Sequence, residues 1–179
     1  MLLSGVILFI DPFAVVMSEP EICQSLLTRG KNVAIFGLSA NPPTFLGGHT
    51  GIVRHLVGLN VFDEVWILPV YRHSYASKSS LELFEHRIKM CALSFEQESS
   101  ATCRVEVKAL EREVYLDMVR TQESLELLTG VAPAPIRMGS IDVVRWVRKR
   151  VASDCQLSLV LGGDTCSDLC AGKWKQSEE

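Results

Sequence analysis

Short apolar runs, set between turn residues and amphipathic stretches, constrain this chain most. Val33 to Phe36 is continuously apolar, as is Val65 to Leu68, which Pro69 ends. Leu157 to Leu161 is interrupted only by Ser158 and is closed by Gly162-Gly163-Asp164. A strand with one wet face alternates, whereas a run that is apolar throughout is covered on both faces, as strands of parallel sheets are. Arg104 to Leu110 alternates well enough for a further strand. Between these runs the spacing turns helical. Ile52, Val53, Leu56 and Val57 share one face of a stretch ending at Leu59, with Arg54 and His55 opposite; Leu81, Phe84, Ile88, Cys91 and Phe95 step by three and four. Ser140 reads as an N-cap with Asp142 in the first turn, opening a helix that turns Ile141, Val144, Val147 and Val151 inward. Residues 111–135 read as loop with a short helix near Glu123 to Leu128, and another short helix is expected from about Thr165. Strands alternating with helices imply βαβ units with right-handed crossovers, hence an α/β, Rossmann-like parallel sheet flanked by helices.

At 179 residues one domain is expected, and 47% hydrophobic with 22% charged residues fits a globular protein. The division expected is an N-terminal extension over 1–31, with a short helix over 21–29, and the domain proper over 32–179. Met1 to Ile10 is apolar, but no Lys or Arg precedes Arg29 and Asp11-Pro12 interrupts the run. A signal peptide and a membrane span are therefore disfavoured, and a cytoplasmic location is expected. Met17 is an alternative start, which would leave residues 1–16 as an accessory strand or as foreign to the protein. The net charge of -3 argues against a general polyanion binder. The basic run Arg145, Arg148, Lys149, Arg150 reads as a solvated face complementing a helix C-terminus, without the interleaved aromatics of a nucleic-acid site. The six cysteines make no CxxC pair and no metal-finger spacing, so reduced, buried thiols are expected; Cys166 and Cys170, four apart, can share a helix face.

One turn points to a chemistry. Gly37-Leu38-Ser39-Ala40-Asn41-Pro42-Pro43-Thr44 opens off the first buried strand, and Gly47-Gly48-His49 leads into the next helix. This order sets bare backbone N–H groups and an imidazole at a helix N-terminus, where an anion is favoured. In a parallel sheet, ligands sit at the carboxyl ends of the strands. The turn after Phe36, the loop after Leu68 and Gly162-Gly163-Asp164 all fall on that edge. The turn matches neither the G-x-G-x-x-G fingerprint nor the P-loop.

It does resemble the (H/T)xGH nucleotidylyltransferases, and most closely the nicotinamide/nicotinate mononucleotide adenylyltransferases. The residues carrying the resemblance are Gly37, Ser39, Asn41, Pro42, Thr44 and His49; Lys78, nine residues before Arg87, within Leu81, His86-Arg87 and Met90; and Gly162 with Asp164, followed by Asp168-Leu169 and Lys173-Trp174-Lys175. It covers roughly residues 32–176. The resemblance implies adenylyl transfer from ATP, with Mg²⁺ on its phosphates, to nicotinamide or nicotinate mononucleotide, giving the dinucleotide and pyrophosphate. It implies that His49 and Thr44 act at the phosphates together with the Gly37, Leu38, Ser39, Asn41 and Gly48 turn. Lys78 and Arg87 would neutralise phosphate oxygens at the rim, two cations suited to that task. Gly162 and Asp164 would place adenosine, and Trp174 would stack on the pyridine ring; packed as an ordinary aromatic is the plain alternative for Trp174. His55, His73 and His86 read as surface residues.

Three departures from the family pattern stand out. Two extra residues separate Thr44 from His49; Val143 stands where a threonine hydroxyl is common; and no Ser/Thr-rich phosphate motif follows before Glu179. The last is expected of a chain cut short at its C-terminus or of a degenerate member. The alternatives are thus a transferase for another phosphate acceptor, such as phosphopantetheine, or a nucleotide-binding pseudoenzyme.

Overall fold

The computed structural model describes residues 5–10, 28–72 and 81–174, of the first group only the backbone. Five strands, β1 (Gly5–Ile10), β2 (Asn32–Leu38), β3 (Glu64–Pro69), β4 (Arg104–Val107) and β5 (Gln156–Gly162), form one sheet in the order β1-β5-β2-β3-β4. β2 pairs in parallel with both β3 and β5, and β3 in parallel with β4. The parallel part therefore has the Rossmann-like order 3-2-1-4, as expected. β1 is the exception: it runs antiparallel along the outer side of β5, from Gly5 opposite Gly162 to Ile10 opposite Leu157.

The five helices are α1 (His49–Gly58), α2 (Phe84–Phe95), α3 (Leu110–Thr129), α4 (Ser140–Arg148) and α5 (Gly163–Cys170). Strand residues alternate between two faces. Ala34, Phe36, Val65 and Ile67 meet Val53 and Leu56 of α1 and Cys91 and Phe95 of α2. Val33, Ile35, Trp66, Leu68 and Leu157 meet Leu110 and Val114 of α3 and Val143 and Val147 of α4. The continuous apolar runs thus are buried on both faces. Glu64 is the buried acid of this sheet; it accepts from Lys31 Nζ at 2.5 Å and from Trp66 Nε1 at 2.6 Å.

Several local expectations need correction. Leu110–Thr129 is one long helix, not loop with a short helix at 123–128. Its inward face is only Leu110, Val114 and the partly buried Met118, so a narrow stripe masks the period, while Leu125, Leu127 and Leu128 are exposed. Good helix formers carry it to Gly130, whose φ of +67° stops it. The strand expected over 104–110 ends at Val107, because Ala109 and Leu110 already cap and open α3. α1 begins at His49, three residues before the apolar period becomes readable. The cap of α4 is Gly139, not Ser140: Asp142 Oδ2 accepts from Gly139 N at 2.7 Å. Val143 is buried with Val144 and Val147, whereas Ile141 and Val151 are only partly covered. The basic run is more than a solvated face. Arg148 donates to the carbonyls of Ala152, Ser153 and Cys155, closing the α4–β5 loop, and Arg150 stacks 3.7 Å over the Trp146 ring.

Cys91, Cys103 and Cys155 are free and buried, and burial pushes the Cys91 thiol up to about 12. Among the described residues no helix is long and apolar enough to cross a membrane. The helix expected over 21–29, the start at Met17, Cys23, His73 and Lys78 lie outside the described residues, save for Thr28 and Arg29.

Candidate active site at the carboxyl edge of the sheet

The chain leaves β4, crosses to the opposite face through α3 and α4, and returns as β5 on the far side of β2. The sheet order therefore reverses between β2 and β5, and a crevice opens at their carboxyl ends. The β2–β5 ladder ends at Phe36 opposite Val160, while β2 stays paired with β3 as far as Leu38 opposite Pro69. Gly37 sits where the two strands part. It is exposed, and a Cβ built on it would meet nothing within 4 Å. Packing within the chain does not require glycine there; close approach of a ligand to the backbone is a use for it.

The turn that follows is organised by Thr44. Its hydroxyl oxygen accepts from His49 N at 3.0 Å, and its carbonyl accepts from Thr50 N at 3.1 Å and from Thr50 Oγ1 at 3.0 Å. Thr44 is thus a capping residue for α1 from five positions upstream. The two extra residues are folded back into this loop, with Gly48 N donating to Phe45 O at 2.8 Å. Glycine is obligatory at two places in it: a Cβ on Gly48 would overlap the Thr44 hydroxyl, and one on Gly51 would overlap Leu46 O. These bonds correct the expectation of bare N–H groups at this helix start. The N–H groups of Gly48, His49 and Thr50 all have protein acceptors, leaving the helix dipole as the backbone's contribution.

The same residue fixes the imidazole. Thr44 N donates to His49 Nδ1 at 3.0 Å, and Thr44 Oγ1 lies 2.9 Å from it. A nitrogen that accepts an N–H carries no proton, so the neutral ring holds its proton on Nε2. Partial burial lowers the His49 pKa below its ordinary value, which favours this neutral donor at pH 7. The ring packs at 6.1 Å from Phe36 at the end of β2.

Arg87 takes a place other than the rim position expected. It is 1% exposed, in step with Phe84, Cys91 and Phe95 on the inward face of α2. Nε donates to Glu82 O at 2.9 Å, and Nη1 donates to Ser39 O at 2.9 Å and Val70 O at 2.6 Å. The guanidinium therefore ties the β2 turn, the end of β3 and the approach to α2 into one unit. Asn41 adds a strand to that tie, its Oδ1 accepting from Glu82 N at 3.0 Å, and Ala40 between them holds φ at +53°.

Across the crevice, α5 starts directly at the end of β5. A Cβ on Gly162 would come 2.9 Å from Asp164 Oδ1, so a side chain there would displace that exposed carboxylate. Asp164 is exposed in the first turn of α5. Trp174 is partly buried just beyond α5, next to Lys173, whose Nζ donates to Asp168 Oδ1 at 2.7 Å. Gly37, Leu38, Ser39, Asn41, Thr44, Gly48, His49, Gly162 and Asp164 thus all belong to the one edge, with Arg87 beneath it; Lys78 is outside the described residues.

Glu111 was not singled out in the sequence. It opens α3 at the carboxyl end of β4, and its Oε2 accepts from Tyr71 N at 2.8 Å. Burial pushes its carboxyl up to about 7, against the pull of the Tyr71 amide and Arg87. Its place one turn past a strand's carboxyl end was the available signal. Among the described residues no group of three or more His, Cys, Asp or Glu side chains could hold a metal ion.

A Rossmann-like α/β sheet with a histidine pinned at the first crossover helix is the class defined by this fold and site. The comparisons with known proteins narrow it. The chain is 30% identical over 109 residues to the probable nicotinate-nucleotide adenylyltransferase of Anaeromyxobacter sp. (strain K), and equally to that of Anaeromyxobacter dehalogenans. The match covers 60% of this chain and 54% of each relative, so the chain spans about half the length of the curated relatives it matches. In structure it resembles Plasmodium falciparum nicotinic acid mononucleotide adenylyltransferase complexed with NaAD, at a TM-score of 0.54 and 20% identity over 83% of this chain and 58% of that one. The same enzyme complexed with APC gives a TM-score of 0.52 at 19% identity, with the same coverage of both chains. No family profile matches the chain. The chain is a distant homologue of the nicotinate mononucleotide adenylyltransferases.

Proposed function

We propose that this chain belongs to an adenylyltransferase that joins ATP to nicotinate or nicotinamide mononucleotide. A phosphate oxygen of the mononucleotide attacks the α-phosphorus of ATP, the bond to the β-phosphate breaks, and pyrophosphate leaves with the Mg²⁺ that ATP brought. No protein nucleophile is needed, so rate comes from positioning and from stabilising charge on the phosphoryl oxygens. The observation that carries the reading is the state of His49. Its Nδ1 is occupied by Thr44, and its Nε2–H stands at the positive end of α1. A neutral, oriented donor of this kind supports an oxygen that gains charge without losing a proton to it. Thr44 and Arg87 are positioning residues in this reading, and Asp164, exposed in the first turn of α5, is the group it assigns to the adenosine ribose.

The test is pyrophosphate release from MgATP with each mononucleotide, using the full-length protein encoded by the gene. Turnover that requires a mononucleotide is expected, and His49→Ala should slow it on the order of 10²-fold or more. Binding of ATP with no turnover on either mononucleotide would replace this reading by the pseudoenzyme, and turnover on phosphopantetheine alone would replace it by the other transferase.

A further inference from the structure

Helix α3 is longer than the core that supports it. Its 20 residues span about 30 Å, yet its buried residues are Leu110 and Val114, both in the first two turns. A helical segment as long as the remainder is marginal in water without tertiary packing. The outward face of that remainder carries a pattern. Leu116, Arg120, Glu123 and Leu127 are all exposed, and they follow one another at intervals of four, three and four residues. These are successive d, a, d and a positions of a heptad, so the four side chains form one stripe. Leu127 is 88% exposed, and among the described residues neither Arg120 nor Glu123 has an ion-pair partner. The stripe reads the same from either end, with its two charges exchanged. When two such helices pair antiparallel, a positions meet d positions. Leu116 of each copy then faces Leu127 of the other, and Arg120 faces Glu123, twice over about a two-fold axis. The surface beside Leu116 is already shaped for the incoming leucine. Trp146 and Arg150 wall a groove of about 230 Å³ against Leu116 and Arg120. Those walls are set in place: Trp146 Nε1 donates to Asp117 Oδ2 at 3.0 Å, and the Arg150 guanidinium lies 3.7 Å over the indole. Tryptophan and arginine are the residue types that anchor interface centres.

We propose that the outward face of α3 docks a second copy of this chain, the two helices lying antiparallel across a two-fold axis with Leu127 of each copy in the groove beside Leu116 of the other. A second copy is the occupant because the charge order of the stripe is complementary to its own reverse. The crossed Arg120–Glu123 pairs also fix orientation: a parallel, in-register pairing would set like charges opposite one another. Two leucine layers and two ion pairs make a small contact, so the association is reversible and micromolar, not that of an obligate dimer. None of these residues belongs to the crevice, and the proposal is independent of the functional reading above.

Sedimentation velocity of the full chain over a range of loading concentrations reads the association, with thermal unfolding to show that each variant folds. The wild type is expected to pass from monomer to dimer across the micromolar range. Arg120→Glu and Glu123→Arg each set like charges opposite one another in both central layers, and each should weaken the dimer on the order of 10-fold or more. The double exchange, Arg120→Glu with Glu123→Arg, remakes both pairs and should recover it. Mixing the two single variants should give dimers of unlike chains, because an acidic stripe then meets a basic one. Leu127→Ala removes the leucine that enters the groove and should weaken the dimer with no change of charge. A wild type that stays monomeric throughout overturns the proposal. So does a dimer that both single variants retain, as association through an edge strand of the sheet would give, or one that the double exchange fails to recover.

Discussion

Replacing Arg87 by Met separates two jobs that a cation near a phosphate crevice can have. If the guanidinium were a rim ligand for phosphate, its loss would leave the folded state almost untouched, within ~0.5 kcal/mol, as for most exposed substitutions. The structure gives it the other job. Three carbonyls, of Ser39, Val70 and Glu82, accept from a side chain that is 1% exposed. Hydrogen bonds to a charged group contribute about 1.5–3 kcal/mol each, and an acceptor left buried without a donor costs about 1–3 kcal/mol. The three bonds share one rigid head group, two of them on Nη1, so they do not add in full. Methionine keeps the apolar stem against Phe84 and Cys91 and removes every donor. A loss of about 3–5 kcal/mol follows, a large share of the ~5–15 kcal/mol typical of a domain. Arg87→Lys should cost about half as much, because one ammonium cannot span three carbonyls that a planar fork reaches. Urea unfolding followed by tryptophan fluorescence reads both, since Trp66 of β3 is fully buried in the core. A midpoint for Arg87→Met indistinguishable from wild type, at unchanged slope, would refute the strut and return Arg87 to the rim.

Other perturbations bear on the same edge. Gly48→Ala should displace the Thr44 hydroxyl from the start of α1, costing about 1–3 kcal/mol and releasing the His49 ring; an unchanged denaturation midpoint would show that the loop yields without loss. Imidazole ¹⁵N chemical shifts at neutral pH should report the proton of His49 on Nε2; a proton on Nδ1 would remove the basis for its donor role. Glu111 has its folded pKa raised to about 7 from an ordinary 4.5, so the folded state binds the extra proton between those values. Its ionisation therefore costs stability progressively as pH rises from 4.5 through 7, and Glu111→Gln, which still accepts from Tyr71 N, should gain about 1–3 kcal/mol on wild type between pH 4.5 and 8; a pH-independent difference would contradict the raised pKa. Removing residues 1–10 should uncover the outer edge of β5 and promote self-association, visible by sedimentation velocity as a shift in mass; an unshifted profile would mean that this edge needs no cover.

Much of this edge was legible because it depends on backbone placement. Apolar runs give buried strands, buried strands joined by amphipathic helices give a parallel sheet, and the sheet fixes which turns share an edge. Gly37, Thr44, His49 and Gly162 fall on one edge by that logic. What failed were inferences about side-chain direction and about helices with little apolar face. Half of α3 presents Leu125, Leu127 and Leu128 to the outside, so its length came from helix propensity and not from burial.

Arg87 shows a signal that was present and outweighed. Its reading as a phosphate cation comes from the family resemblance, in the register Lys78, His86-Arg87 and Met90, together with its charge. Reading it by position gives another answer, for 84, 87, 88, 91 and 95 are one stripe in a helix of period 3.6. A charged residue on an apolar stripe must find partners inside or break the helix packing. Here the partners are main-chain carbonyls at the ends of β2 and β3, where the ladder between them has just stopped. Carbonyls left over at a parting of strands are an acceptor set that only a buried donor can satisfy. The cation is therefore where the fold needs it, and the crevice keeps its shape because that charge is directed inward. In the proposed reading, the donor offered to an anion is therefore the His49 Nε2–H at the start of α1, and not a cation of α2.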